Sequence, residues 1–211
     1  MNLVDLTLYL CTDRHWLKGM SLGESVERAI EGGVTLVQLR EKDVSTLDFL
    51  QAAEEVQRVC KKHSIPLIIN DRLDIALAVG AEGVHVGQTD MPARIARRLI
   101  GPDKILGVST STLQQAIDAK EDGADYIGIG AAFMTDTKAG VKRALTVEEI
   151  SEILETVDIP ACAIGGINEE TGPQLCGLGL DGISVISAIL ARPDITAAAK
   201  TMRDVAELIK G

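Results

Sequence analysis

Residues 34–70, VTLVQLREKDVSTLDFLQAAEEVQRVCKKHSIPLIIN, read as strand, helix, strand. VTLVQL (34–39) and PLIIN (66–70) are short apolar runs rich in β-branched and aliphatic residues, the pattern of strands covered on both faces. Between them Ser45 stands at an N-cap position before TLDFLQAAEEVQRVCKKH, whose apolar residues recur at helical spacing. Such a unit joins two parallel strands through a crossover helix.

The same alternation extends in both directions. Apolar runs occur at LTLYLC (6–11), GVHV (83–86), KILGVS (104–109), DYIGIG (125–130), PACAIG (160–165) and GISVIS (182–187), which makes eight strands with the two above. Ser21 before LGESVERAIEGG and Thr146 before VEEISEILETV each have a glutamate three residues on, Glu24 and Glu149, in capping-box position. Helical stretches run into Gly33, Gly80, Gly101, Gly123 and Gly179, expected as left-handed stops. Eight strand and helix units in 211 residues average ~26 residues each, the size of a minimal α/β (β/α)8 TIM barrel. An open doubly wound sheet is the alternative, but its usual GxGxxG turn is absent after the first strand, which ends in CTDR. No linker or low-complexity tract interrupts the chain, so one domain is expected over residues 1–211.

Composition excludes other classes. With 46% hydrophobic and 25% charged residues the chain is neither disordered nor membrane-embedded. A net charge of −10 argues against a general nucleic-acid binder. No apolar run is long enough for a membrane span and no signal peptide is evident, so the expected location is cytoplasmic. Cys11, Cys60, Cys162 and Cys176 show no metal-ligand or CxxC spacing and read as thiols without a redox role. Aromatic residues make up only 2%, so the core must be built of Ile, Leu, Val and Ala.

In such a barrel the chemistry lies at the carboxyl ends of the strands. There the sequence offers Gln38, Arg40 and Lys42 after strand 2, Asn70 and Asp71 after strand 3, and His85, Gln88 and Asp90 after strand 4. Ser109 follows strand 5, and Thr135, Thr137 and Lys138 follow strand 6. Arg40, Lys42 and Lys138 with Asp71 and Asp90 suit a diphosphate held by cations and by Mg²⁺, although ion pairing with those acids would also explain them. Gly165-Gly166 and the Ile186-Ser187 backbone suit a second phosphate at strands 7 and 8, or a tight turn. Two such sites imply two phosphorylated small-molecule substrates, or one ligand phosphorylated twice. His85 reads as a packed core histidine and Cys162 as buried without a base. Lys138 lies in a loop that offers no desolvating pocket for a Schiff base.

These motifs, LYLCTD, VQLREK, INDR, GVHVGQTD, GVST, GADYIGIG, TDTK, AIGGI and SVISAI, resemble the thiamine-phosphate synthase family over nearly the whole chain. The resemblance implies condensation of an aminopyrimidine diphosphate with a thiazole phosphate, by diphosphate departure and a pyrimidine carbocation. By the same resemblance Gln38, Leu39, Arg40, Glu41, Lys42, Asn70, Ser109 and Lys138 would hold the pyrimidine diphosphate, with Arg40, Lys42, Ser109 and Lys138 catalytic. Asp71 and Asp90 would bind Mg²⁺, and Thr135, Asp136, Thr137, Gly166, Ile186 and Ser187 the thiazole phosphate. One departure is GAAFM (130–134), where the family usually carries proline. A thiazole tautomerase-type paralogue and a non-catalytic thiamine-phosphate binding protein are the alternatives, and the sequence leaves a homo-oligomer open.

Overall fold

All eight apolar runs form strands. In the computed structural model, which describes residues 4–135 and 143–211, these are β1 (Leu8–Cys11), β2 (Leu36–Leu39), β3 (Leu67–Asn70), β4 (Gly83–Val86), β5 (Ile105–Thr110), β6 (Tyr126–Gly130), β7 (Ala161–Ile164) and β8 (Gly182–Val185). They pair in chain order, and β1 pairs with β8 as well as β2, closing a parallel barrel. A closed sheet has no edge strand to protect.

Alternation along each strand divides the core in two. Leu8 and Leu10, Val37 and Leu39, Val84 and Val86, Ile127 and Ile129 face the helices and form the larger apolar layer. Tyr9, Leu36, Ile68, Tyr126 and Cys162 face inward and, with Leu6, fill the barrel. Both tyrosines of the chain are therefore spent inside the barrel.

The outer layer is completed by α1 (Leu22–Glu31), α2 (Thr46–His63), α3 (Leu73–Val79), α4 (Ala93–Ile100), α5 (Leu113–Glu121), α6 (Val147–Thr156), a short α7 (Ser187–Leu190) and α8 (Ile195–Lys210). The caps follow the sequence. Ser45 accepts from the Asp48 amide, and Thr146 with Glu149 forms a complete capping box. Ser21 accepts from the Glu24 amide, but the Glu24 carboxylate turns to Arg28 at 2.6 Å, so that box is half formed.

Two expectations are corrected. Between β7 and β8 there is no α-helix, only a 3-10 turn at Gly172–Leu175, so Gly179 stops no helix. Pro173 and three glycines, 172, 177 and 179, in one short crossover are poor material for helix propagation. Gly101 has φ 78° but ψ −179°, not the left-handed stop that Gly80 makes. Pro102 follows it and drives the preceding residue to an extended ψ.

Candidate active site at the carboxyl ends of the strands

The strand ends bring three charged groups into contact at one side of the mouth. Asp71 follows β3 with φ 61°, a left-handed conformation that aspartate tolerates better than most residues. Its backbone N–H donates to the carbonyl of His85 at 2.9 Å, which ties the β3 end to β4. Its carboxylate pairs with the Lys42 ammonium and accepts from Asn70 Nδ2 at 2.8 Å. Burial pushes the Asp71 carboxyl above its usual range, and Asp90 beside it pushes the same way, while Lys42 opposes both. Asp90 is itself held by the Gly87 amide, 2.8 Å from Oδ2. Two carboxylates that repel each other at the mouth fit the donor set of a magnesium ion, which takes one or two carboxylates and keeps water and phosphate oxygens.

On the neighbouring side the β1 loop contributes residues that the sequence reading passed over. Arg40 pairs with Asp13 at 3.3 Å, and its backbone N–H donates to Thr12 Oγ1 at 3.0 Å. The Glu41 carboxylate is buried and receives Arg14 Nε at 3.0 Å, leaving its Oε1 without a partner. The expected ion pairing with Asp71 or Asp90 thus holds for Lys42 but not for Arg40, whose partner is Asp13, and both pairs form the mouth itself. Arg40, Asp13, Asp71 and Lys42 all act electrostatically on the buried Cys11 thiol, which burial raises to about 12. The signal for Asp13 was its place just past the end of β1, as Arg40 and Lys42 stand just past the end of β2. Leu39 faces the helix layer, so it can offer the mouth only its backbone.

Inside the barrel, Gln38 and Ser109 are joined through Tyr9, Tyr126 and His85 by contacts of 2.6 to 3.0 Å. His85 is buried, as expected, but hydrogen-bonded through both ring nitrogens. Gln88 reaches from the β4 loop to the Ser109 carbonyl at 2.8 Å. Cys162 is buried and raised to about 12, which leaves it inert.

The opposite side is backbone-rich. Gly165 and Gly166 have φ 106° and 64°, and a Cβ on Gly166 would lie 2.5 Å from the Met134 carbonyl. The β6 loop lies directly on this turn, with Phe133 N–H donating to the Gly165 carbonyl at 2.9 Å. The glycines therefore make a tight turn and also admit the loop that carries Thr135. Ile186 caps α7 without a side-chain bond, and although the Ile189 amide donates to the Ile186 carbonyl at 3.2 Å, the amides of Ser187 and Ala188 have no acceptor among the described residues. Asp136, Thr137 and Lys138 lie outside the described residues.

Residues 8–189 match the family described as thiamine monophosphate synthase. The chain is 50% identical over 202 residues to the thiamine-phosphate synthase of Clostridium novyi (strain NT), covering 96% of this chain and 99% of that one. The chain belongs to the thiamine monophosphate synthase family. As a thiamine-phosphate synthase it is a transferase of thiamine biosynthesis. The Ruminiclostridium cellulolyticum thiamine-phosphate synthase is 52% identical over 202 residues, covering 96% of each chain. Thiamine phosphate pyrophosphorylase from Pyrococcus furiosus superposes with a TM-score of 0.88 at 38% identity, over 99% of this synthase and 98% of that chain. Among the described residues of the synthase no helix is long and apolar enough to cross a membrane.

Proposed function

We propose that the chain condenses an aminopyrimidine diphosphate with a thiazole phosphate at this mouth, using Mg²⁺. The contact of Asp71 with Asp90 and Lys42 carries the reading, because opposed carboxylates beside a cation are costly unless a dication and an anion share them. Asp71 and Asp90 would hold the metal, which supplies charge neutralisation for the departing diphosphate. Arg40 and Lys42, with Lys138, take the diphosphate oxygens; Gln38, Asn70 and Ser109 orient the pyrimidine, and Leu39 and Glu41 complete its wall.

The electron-rich ring stabilises the cation left behind, and the thiazole nitrogen attacks it. Thr135, Asp136, Thr137, Gly166, Ile186 and Ser187 hold the thiazole phosphate in line, mainly through backbone amides. Such a reaction needs orientation, leaving-group stabilisation and exclusion of water, and no protein nucleophile. The reading takes residues 1–211 as one domain, supported by the β1 and β8 pairing and by the contact of Lys210 Nζ with Thr7 Oγ1 at 3.1 Å across the chain ends. It places the enzyme in the cytoplasm, supported by four cysteines that remain thiols.

The test is diphosphate release with both substrates and Mg²⁺. Asp71→Ala and Asp90→Ala should each lower turnover by ~100-fold or more and flatten the Mg²⁺ titration, the scale expected when charge stabilisation in a transition state is lost. Full activity in both variants, or no diphosphate release by the native enzyme, would overturn the reading.

A further inference from the structure

The barrel interior carries a polar chain that the proposed reaction does not itself require. It starts at Gln38 on β2, whose Nε2 donates to the Tyr9 hydroxyl of β1 at 2.6 Å. The Tyr9 and Tyr126 hydroxyls meet at 2.7 Å, joining β1 to β6. Tyr126 meets His85 Nδ1 at 3.0 Å, and His85 Nε2 meets Ser109 Oγ at 2.8 Å. Five residues from five strands are thus linked in series, and the two ends are the residues assigned to the pyrimidine.

The donor and acceptor inventory fixes what the ends present. A buried phenol proton needs an acceptor, and besides Gln38 the Tyr9 hydroxyl meets only Tyr126 among the described residues. With Gln38 donating, the Tyr9 proton therefore goes to Tyr126, the Tyr126 proton to Nδ1, and the Nε2 proton to Ser109. Gln38 is left with its amide oxygen as an acceptor, and Ser109 with its hydroxyl proton to donate. The Gln38 oxygen has no protein partner among the described residues, and unlike Glu41 Oε1, Thr110 Oγ1 and Ser184 Oγ it is not enclosed.

The chain is also built into the packing. A Cβ on Gly107 would fall 2.2 Å from Tyr126 Cζ and 2.5 Å from His85 Nδ1, so this inward position of β5 is glycine where the link passes. Burial holds both phenols protonated, well above their usual range, as an unbroken chain requires.

We infer that Tyr9, Tyr126 and His85 are positioning residues that set substrate specificity, locking Gln38 as acceptor and Ser109 as donor against the N=C–NH2 edge of an aminopyrimidine. The amino group donates to Gln38 and the ring nitrogen accepts from Ser109. An oxo analogue presents the reverse pattern, a ring N–H and a carbonyl. To accept it every link must reverse together, including the Gln38 amide and the His85 tautomer. Cutting the chain at one point frees each end to turn alone. The inference rests on the proposed placement of the pyrimidine against Gln38 and Ser109.

The experiment measures, by calorimetry with Mg²⁺, the dissociation constants of the aminopyrimidine diphosphate and its oxo analogue for the native enzyme, Tyr126→Phe and Tyr9→Phe. The native enzyme should prefer the amino form by ~100-fold or more, since sites built around a substrate's hydrogen bonds reject analogues strongly. Either variant should cut that ratio by ~10-fold, one to two hydrogen bonds' worth, and the double variant by no more than the larger single effect, because one break suffices. The KM for the thiazole phosphate should stay within ~2-fold in each, which a general loss of packing would not spare. If one variant fails to fold, the other cuts the same chain. A native preference retained in the folded variants overturns the inference and leaves the proposed reaction standing. Absence of diphosphate release by the native enzyme overturns the reaction instead.

Discussion

Arg40 is the residue at which the sequence reading and the structure inform each other most. The spacing of QLREK puts it on the mouth side of β2, but its partner Asp13 lies 27 positions away on another strand end. No local pattern could reveal that pairing. The pair leaves the guanidinium oriented rather than neutralised, since it is partly exposed and still has donors to spare. Replacing Arg40 by Ala should raise the KM for the pyrimidine diphosphate by ~10 to 100-fold, the value of one charge-assisted hydrogen bond or a little more. The KM for the thiazole phosphate should change little. Initial-rate kinetics with each substrate varied in turn would separate the two, and an equal rise in both would contradict two distinct phosphate sites. Asp13→Asn should show a weaker version of the same pattern, because it loosens Arg40 without removing it.

Among the elements, strands were legible because covered parallel strands are continuous apolar runs, and each run was found to within about two residues. Helices were legible where a cap residue announced them, as at Ser45 and Thr146. The absence of a helix between β7 and β8 was not, since strand-helix alternation invited one and only Pro173 with the glycines at 172, 177 and 179 argued against it. The Tyr9 and Tyr126 contact joins residues 117 apart in the chain, so nothing in either neighbourhood marks it. At one left-handed helix end a serine stands where glycine is usual. Helix α2 stops at Ser64 in the left-handed conformation, φ 57° and ψ 33°, with its amide bonded to the carbonyls of Cys60 and Lys61. A serine there bears the Cβ strain that glycine avoids, roughly 1 to 2 kcal/mol, against the greater flexibility that glycine gives the unfolded chain, about 0.4 to 1 kcal/mol. Ser64→Gly should therefore stabilise the fold by up to ~1 kcal/mol and raise Tm by ~2 to 4 °C at this chain length. Thermal melts of the two proteins at one scan rate would check it, and a lower Tm in the variant would refute it.

For the whole molecule, the scarcity of aromatic residues and the net charge of −10 bear on alkaline stability. The core encloses Cys11, Cys60 and Cys162, each raised from 9.0 to about 12 by burial, together with Tyr9 and Tyr126, raised well above 10. The unfolded chain gives up thiol protons near 9, whereas the folded chain holds them to about 12. Stability from these groups is therefore intact below pH 9 and falls as pH rises from 9 toward 12. In that window each mismatched thiol costs about 1.4 kcal/mol per pH unit, so three of them consume several kcal/mol by pH 11, comparable with the 5 to 15 kcal/mol of a typical domain. The urea midpoint should thus change little between pH 7 and 8.5 and drop steeply between 9 and 11. Surface repulsion in an acidic protein also grows with pH, but 0.5 M salt screens it and leaves the buried groups untouched. A drop that persists in salt and becomes shallower in Cys60→Ala assigns the effect to the enclosed thiols. A midpoint that stays level through pH 10.5, or a drop abolished by salt, would show that the buried protons are not what alkali removes.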